Sequence, residues 1–232
     1  MKTDMKLMSC LLWTVMLLAG MNMQAAGVRT KLSNRKASKE AKAMYKQLLR
    51  IHEAGKTLSG QMWAPWGIDE IEYVHEVTGK YPAVRGHDLI HEGSNAREVE
   101  LLTEWYRRGG IPTLMWHWGA PTKGEGYEQS KMSIDVARCF EEGTPEYKAM
   151  WADLDRVAGW LEKLKEAKVP VLWRPMHECG TLPDPDECKQ NGTVWMWWML
   201  WHTSHVTGHD KGELKRIYHH PDVLTLDEME DW

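Results

Sequence analysis

Apolar positions along this chain switch repeatedly between a helical spacing and short continuous runs. Over 39–54, Ala41, Met44, Leu48, Leu49 and His52 recur with helical spacing, with Ser38 placed to cap the helix and Gly55 to end it. The next run, 56–63 (KTLSGQMW), reads as a strand ending in Gln61 and Trp63. A helix over 69–78 stopped by Gly79 is followed by a strand over 81–88 that ends in His87 and Asp88. Asn95 is placed to cap a helix running to Arg108, closed by Gly109 and Gly110, and 111–118 is a third strand ending in His117. The polar, Gly-rich stretch 119–144 is long enough to be a lid or cleft wall. The longest helix covers 146–168 and leads into a fourth strand at 169–175.

Four βα repeats in succession argue for a parallel α/β barrel. After Glu178 the rhythm fails. The stretch 179–192 holds two prolines and no helical period. One more strand is expected over 193–201, a short helix over 210–218 and a last strand or turn over 223–226. Five strands, at most six, fall short of the eight, in about 250 residues, that close such a barrel. The expected fold class is therefore α/β, of the (β/α)8 TIM-barrel type, and incomplete.

Composition adjusts this picture. Lys2 and Lys6 precede a short apolar core at 11–20, and Gln24-Ala25-Ala26 ends it with small residues. That pattern predicts a secretory signal over 1–26, too short to span a membrane, and a single exported domain over 27–232 that is secreted or periplasmic and monomeric. A formal charge of −4 gives no reason to expect nucleic acid as a partner. Beyond the leader, Cys139, Cys179 and Cys188 leave both a Cys179–Cys188 bridge and free thiols open. Fourteen Trp stand against one Phe, several beside polar residues at strand ends, including Trp63, Trp66, Trp116, Trp118 and Trp173. Indole is a costly core filler because its N–H needs a partner, whereas its flat face suits the C–H face of a sugar ring.

The candidate chemistry lies in 169–180, V-P-V-L-W-R-P-M-H-E-C-G. A buried strand there turns abruptly polar at Arg174, His177 and Glu178, and residues at the carboxyl ends of barrel strands face the mouth where chemistry sits. A Glu beside an Arg and a His there suits general acid or nucleophile work on sugars; a strand-end salt bridge between Arg174 and Glu178 is the structural alternative.

Taken together these residues resemble glycoside hydrolase family 26, the β-mannanase family of (β/α)8 retaining glycosidases. The similarity covers most of the expected mature chain: L-S-G-Q in the first strand, Y-P-A-V-x-G-x-D in the second, W-H-W in the third, W-R-P-M-H-E in the fourth, then W-x-W-W-M-x-W and H-P-x-V-L-T-L-D-E. The resemblance implies that Glu178 is the acid/base, that His177 and His117 line sugar subsites, and that Asp88 serves structure and subsite polarity. It implies that Trp201 or Trp198 stacks on the sugar at the cleavage point. Trp116 and Arg174 complete the expected binding set. The implied partner is β-mannan or a related plant polysaccharide, with xylan and mixed-linkage glucan also represented in the family, and no cofactor is implied.

The departure from the family is at the junction. R-P-M-H-E runs straight into C-G-T-L-P-D-P-D, so Glu178 ends the acid/base motif and begins the segment that resembles the family's nucleophile motif. A block of roughly two to three βα units, on the order of 100 residues, is expected to be missing after Glu178. Retaining hydrolysis needs a pair of carboxyl groups about 5–5.5 Å apart. Asp184, Asp186 and Glu187 read as solvated loop acids, so weak or absent hydrolysis is expected. Two alternatives remain. A non-catalytic glycan-binding remnant would keep the Trp and His residues. A metal-dependent hydrolase would use His87, Asp88, His117, His177 and Glu178, or the spaced trio His202, His205 and His209, although no H-E-x-x-H spacing is present.

Overall fold

In the computed structural model, the described residues are 32, 34–174, 184–190 and 196–232. Two units divide the chain, Met1–Arg35 and Lys36–Trp232, and every element below belongs to the second. Helix α1 (Lys39–Glu53) starts where Ser38 Oγ accepts the Ala41 N–H at 3.1 Å. Its buried stripe, Met44, Leu48 and Ile51, packs with Leu58, Val84, Ile111 and Leu224. These are first or last residues of short strands, so α1 plugs the amino-terminal end of the sheet.

Strands β1 (Thr57–Leu58) and β2 (Gly60–Met62) are one path interrupted at Ser59. Ser59 donates its N–H to Leu224 O at 3.0 Å, and its own carbonyl accepts from Val84 N at 2.9 Å. Below Ser59 the path therefore pairs with β6 (Val223–Leu224), and above it with β3 (Val84–Asp88), both in parallel. The parallel sheet continues through β4 (Ile111–Met115) to β5 (Leu172–Arg174), in register Val84↔Ile111 and Thr113↔Leu172. On the other flank of β1 and β2 lies the segment 197–200, bridged in parallel at Leu58↔Trp197 and Gln61↔Leu200. Gly60 is required there, because a Cβ would come within 2.2 Å of Trp198 O. Met62 and Met199 sulfurs fill the space above Gly86, 2.2 and 2.4 Å from where its Cβ would sit, and Arg174 Nη2 approaches Met62 Sδ at 3.5 Å and Met115 Sδ at 3.4 Å. Unbranched thioethers are suited to so irregular a lumen.

Across the sheet the order is 197–200, β1/β2, β3, β4, β5. A closed eight-stranded barrel sets about three more strands between its first and fifth. Here the two outer strands are successive strands of the described chain: β5 ends at Arg174 and the bridged segment begins at Trp197. Among the described residues, the outer members of this partial sheet thus stand on either side of the interval that contains Glu178.

The expected helices all form, short unexpected ones stand at 127–130, 137–140, 204–207 and 226–231, and two further places need correction. Helix α2 (Glu70–Thr78) is capped by Asp69 and ended by left-handed Gly79, and α3 (Glu92–Arg107) follows β3. Asn95 is not the cap of α3. It lies buried inside the helix, whose first turn is served by Glu125, with Oε2 accepting the Glu92 N–H at 2.9 Å. The long stretch 119–144 carries α4 (Tyr127–Ser130) and a 3₁₀ turn at Ala137–Phe140 before α5 (Pro145–Glu166), which Thr144 caps. The second correction is α6 (Pro185–Gln190), in a stretch without helical period. Asp184 Oδ1 accepts the N–H groups of Asp186 and Glu187, and proline suits the first helical position, so capping rather than amphipathicity builds it. The chain closes with α7 (Ser204–Thr207), α8 (Lys211–Tyr218), β6 and a final 3₁₀ helix, Leu226–Asp231. Among the described residues no helix is long and apolar enough to cross a membrane.

Candidate active site

Asp88, His117 and Arg174 come from three adjacent strand ends, as expected. Asp88 is the last residue of β3. One of its oxygens accepts the His117 backbone N–H at 3.0 Å, and the other meets His117 Nδ1. A carboxylate accepts, so Nδ1 carries the proton and Nε2 is placed on the opposite side of the ring. His117 is almost fully buried, with Tyr127 5.9 Å away edge-on and Trp201 5.8 Å away on another side. Arg174, at the end of β5, donates Nε–H to Thr113 Oγ1 at 3.1 Å and lies 5.5 Å from the Trp197 ring. Burial lowers its pKa, with the charge of Asp88 opposing the shift. His177, Glu178 and Cys179 lie outside the described residues, and so does the side chain of Cys188.

The two Trp candidates for the sugar platform separate. Trp201 stands at the mouth, between His117 and His202 (5.1 Å). Trp198 is buried under α2 and α8 in a cluster with Val74, Leu214 and Tyr218, its ring 5.4 Å from Tyr218 edge-on. Three residues apart on an extended path, the two side chains point to opposite faces. Trp198 is therefore a core residue and not a binding residue. Trp116 is nearly buried and stacks on Trp118 at 4.9 Å, and Trp118 Nε1 donates to Asp153 Oδ2 at 2.8 Å. Beside this pair open two cavities, of about 240 and about 330 Å³. The first reaches Asp153 and Arg156 of α5, and the second reaches Pro121 and Met132 of the 119–144 stretch, which does form a cleft wall.

Beneath the mouth lies a buried polar chain that sequence reading passed over. Arg85 Nε–H donates to His87 Nε2 at 2.9 Å, so His87 must carry its proton on Nδ1, which meets Glu98 Oε2. Burial pushes the Glu98 carboxyl up to about 8, with the charge of Asp88 adding to the shift and Arg85 opposing it. Burial holds His87 well below its ordinary value, and the neighbouring Arg85 charge acts in the same direction. Burial also lowers Arg85 to about 10, although its guanidinium sits 5.8 Å from Trp63 and 5.4 Å from Trp105. A signal for Glu98 was available: it shares the inner face of α3 with Leu101, Leu102 and Trp105, an unusual place for a charge.

Of the histidine trio, His202 faces Trp66 and Trp201 while His205 is exposed. Among the described residues no three of His, Cys, Asp and Glu converge to hold a metal ion.

Comparison with known proteins fits this geometry. The model of "Glycosyl hydrolase family 26" matches residues 33–180, ending two residues beyond Glu178. A mannan endo-1,4-beta-mannosidase of Thermothelomyces thermophilus is 31% identical over 188 residues, covering 74% of this chain and 36% of that protein. One from Bacillus subtilis is 28% identical over 178 residues, covering 69% and 45%. The chain spans about a third of the length of three curated mannosidases it matches, 36%, 30% and 28%. In fold it is similar to a ruminal GH26 endo-beta-1,4-mannanase, with a TM-score of 0.76 at 20% identity, covering 87% of this chain and 71% of the other. It is also similar to the GH26 domain of a Prevotella bryantii mannanase/glucanase, with a TM-score of 0.74 at 20% identity, covering 86% and 99%. A model match over more than half the chain, a relative 31% identical over 74% of it and the shared (β/α)8-type fold give one conclusion: the chain belongs to glycosyl hydrolase family 26.

Proposed function

We propose that this chain acts on or binds β-mannan-type polysaccharide as an exported member of the family, with Glu178 as acid/base and His177 beside it. The observation that carries the reading is the mouth built by Asp88, His117 and Trp201, next to the strand end, Arg174, from which the chain reaches Glu178 four residues later. In this reading Asp88 fixes the His117 tautomer so that Nε2 addresses a sugar hydroxyl. Trp201 supplies the apolar face for the pyranose ring, and Glu178 protonates the leaving oxygen. Mannan rather than xylan or mixed-linkage glucan is favoured by the names of the relatives, all of them mannosidases. The leader over 1–26 is read as a secretory signal and 27–232 as one domain working as a monomer.

Turnover is expected to be weak or absent. A glycosyl-enzyme needs a second carboxylate across from Glu178, and among the described residues no strand stands between β5 and 197–200 to carry it. The expected loss of the nucleophile favours the second reading, a glycan-binding protein without turnover. Reducing-sugar release from soluble galactomannan, run beside Glu178→Gln with circular dichroism on both proteins, tests the pair. Release abolished by the substitution makes the chain a hydrolase and overturns the expected loss of activity. No release from a folded chain that still binds manno-oligosaccharide leaves the binding reading. Neither release nor binding from a folded chain sinks both.

A further inference from the structure

Glu70 opens α2 with its side chain fully buried, and its two oxygens serve two loops far apart in the sequence. Oε1 accepts the Thr203 backbone N–H at 3.0 Å, and Oε2 accepts the Ala64 N–H at 3.3 Å. Ala64 belongs to the loop that leaves β2 and carries Trp66. Thr203 belongs to the loop that leaves 197–200 and carries Trp201 and His202. Burial raises the Glu70 carboxyl above its ordinary value, with these two N–H bonds opposing the shift.

Thr203 adopts φ 50° and ψ −118°, the first central position of a type II′ turn closed by His205 N–H donating to His202 O at 3.2 Å. Glycine suits that position, and a β-branched residue there is strained. Such a backbone persists where its surroundings over-determine it, and such sites cluster where ligands bind. Here the amide is held by Glu70, and the hydroxyl lies 3.0 Å from His202 Nδ1. Gly67 stands opposite, where a Cβ would approach Thr203 Oγ1 to 3.3 Å. The product is an aromatic row. The Trp66 ring meets His202 edge-on at 5.5 Å and His91 at 5.9 Å, and His202 meets Trp201 at 5.1 Å. Trp66 keeps 43% of its surface exposed.

We propose that Glu70 is a positioning residue for glycan binding: by holding the Ala64 and Thr203 amides together, it sets Trp66, His202 and Trp201 as one wall of the mouth, on which a neutral pyranose stacks. This rests on the glycan reading above. A carboxylate is suited to the task because both of its oxygens accept. In Glu70→Gln one loop N–H would face an NH2 group instead.

The test titrates the full chain with mannohexaose, following tryptophan fluorescence, and follows amide exchange in parallel. Glu70→Gln should bind about tenfold more weakly, with exchange at Ala64 or Thr203 faster by about tenfold and exchange in β3 and β4 unchanged. Unchanged affinity in folded Glu70→Gln, or exchange that quickens equally in β3 and β4, overturns the proposal. Should Glu70→Gln not fold, Glu70→Asp, one methylene shorter and able to reach one amide, is judged by the same outcomes. Trp66→Ala separates the two readings. If it binds as wild type does, the glycan reading of this wall fails while exchange still judges the clamp. If Trp66→Ala loses binding and Glu70→Gln does not, the positioning role is wrong.

Discussion

Asp88 grips His117 at two points, taking the backbone N–H with one oxygen and the ring Nδ1 with the other. The grip ties the ends of β3 and β4 together and selects one tautomer of the ring. Asp88→Asn keeps one acceptor but presents NH2 to Nδ1, which drives the proton to Nε2. The expected result is a loss of stability of about 1–3 kcal/mol and at least about tenfold weaker binding of mannohexaose. Nitrogen chemical shifts of His117 should report the exchanged tautomer. An unchanged tautomer would remove Asp88 from the role given to it.

Trp198 and Trp201 should respond oppositely to truncation. Trp198→Ala empties the cluster with Val74 and Tyr218 and should cost about 3–5 kcal/mol, read by urea unfolding. Trp201→Ala should leave unfolding within about 1 kcal/mol of wild type while abolishing measurable mannohexaose binding. Equal loss of stability in both would place the two rings in one core.

Glu98 gives stability a dependence on pH. Its carboxyl is pushed up to about 8 in the folded chain, against about 4.3 when unfolded. The folded state thus holds the proton more tightly, so this contribution is complete below about pH 4 and is lost as pH rises through about 8. His87 acts in the opposite sense: held neutral by burial, it costs stability as pH falls below about 6.5. Above about pH 6.5 the His87 effect is spent, and Glu98 should make stability fall from there toward pH 8.5. In Glu98→Gln, which still offers His87 an acceptor, that slope should flatten. Urea midpoints at intervals across this range decide it, and an equal slope in both proteins refutes the assignment.

Much of this was readable in the chain. Short apolar runs ending in Asp88, His117 and Arg174 located three strand ends, because parallel strands buried on both faces show up as uninterrupted apolar residues. Long-range handovers were less legible. The break at Ser59, where one strand changes partners from β6 to β3, depends on residues more than 160 positions away, as in Ser59 Oγ to Leu224 O. Asn95 looked like a cap by type alone, and a carboxylate from another loop, Glu125, took that place. Trp198 and Trp201 differ in no local property. Which one faces the mouth is set by the register of 197–200 against β1 and β2.

Amide exchange should also rank the strands. β3 and β4 have hydrogen-bonded neighbours on both sides, whereas β5 and 197–200 are the outer members of the described sheet. Amides of Trp173 and Arg174 should exchange at least about tenfold faster than those of His87 and Leu114. Equal protection would mean that β5 has a partner strand on its outer side.

That β5 and 197–200 are successive strands of the described chain, yet opposite rims of its sheet, makes the interval between them a single insertion point. Further βα units grafted from a relative would enter at one position, with β1 to β4 and α8 left untouched. The outer members, β5 and 197–200, already fix the register to which the incoming strands must conform. Adding a strand that bears a carboxylate would thus be a cut-and-join problem at one place in the gene, rather than a redesign of the protein.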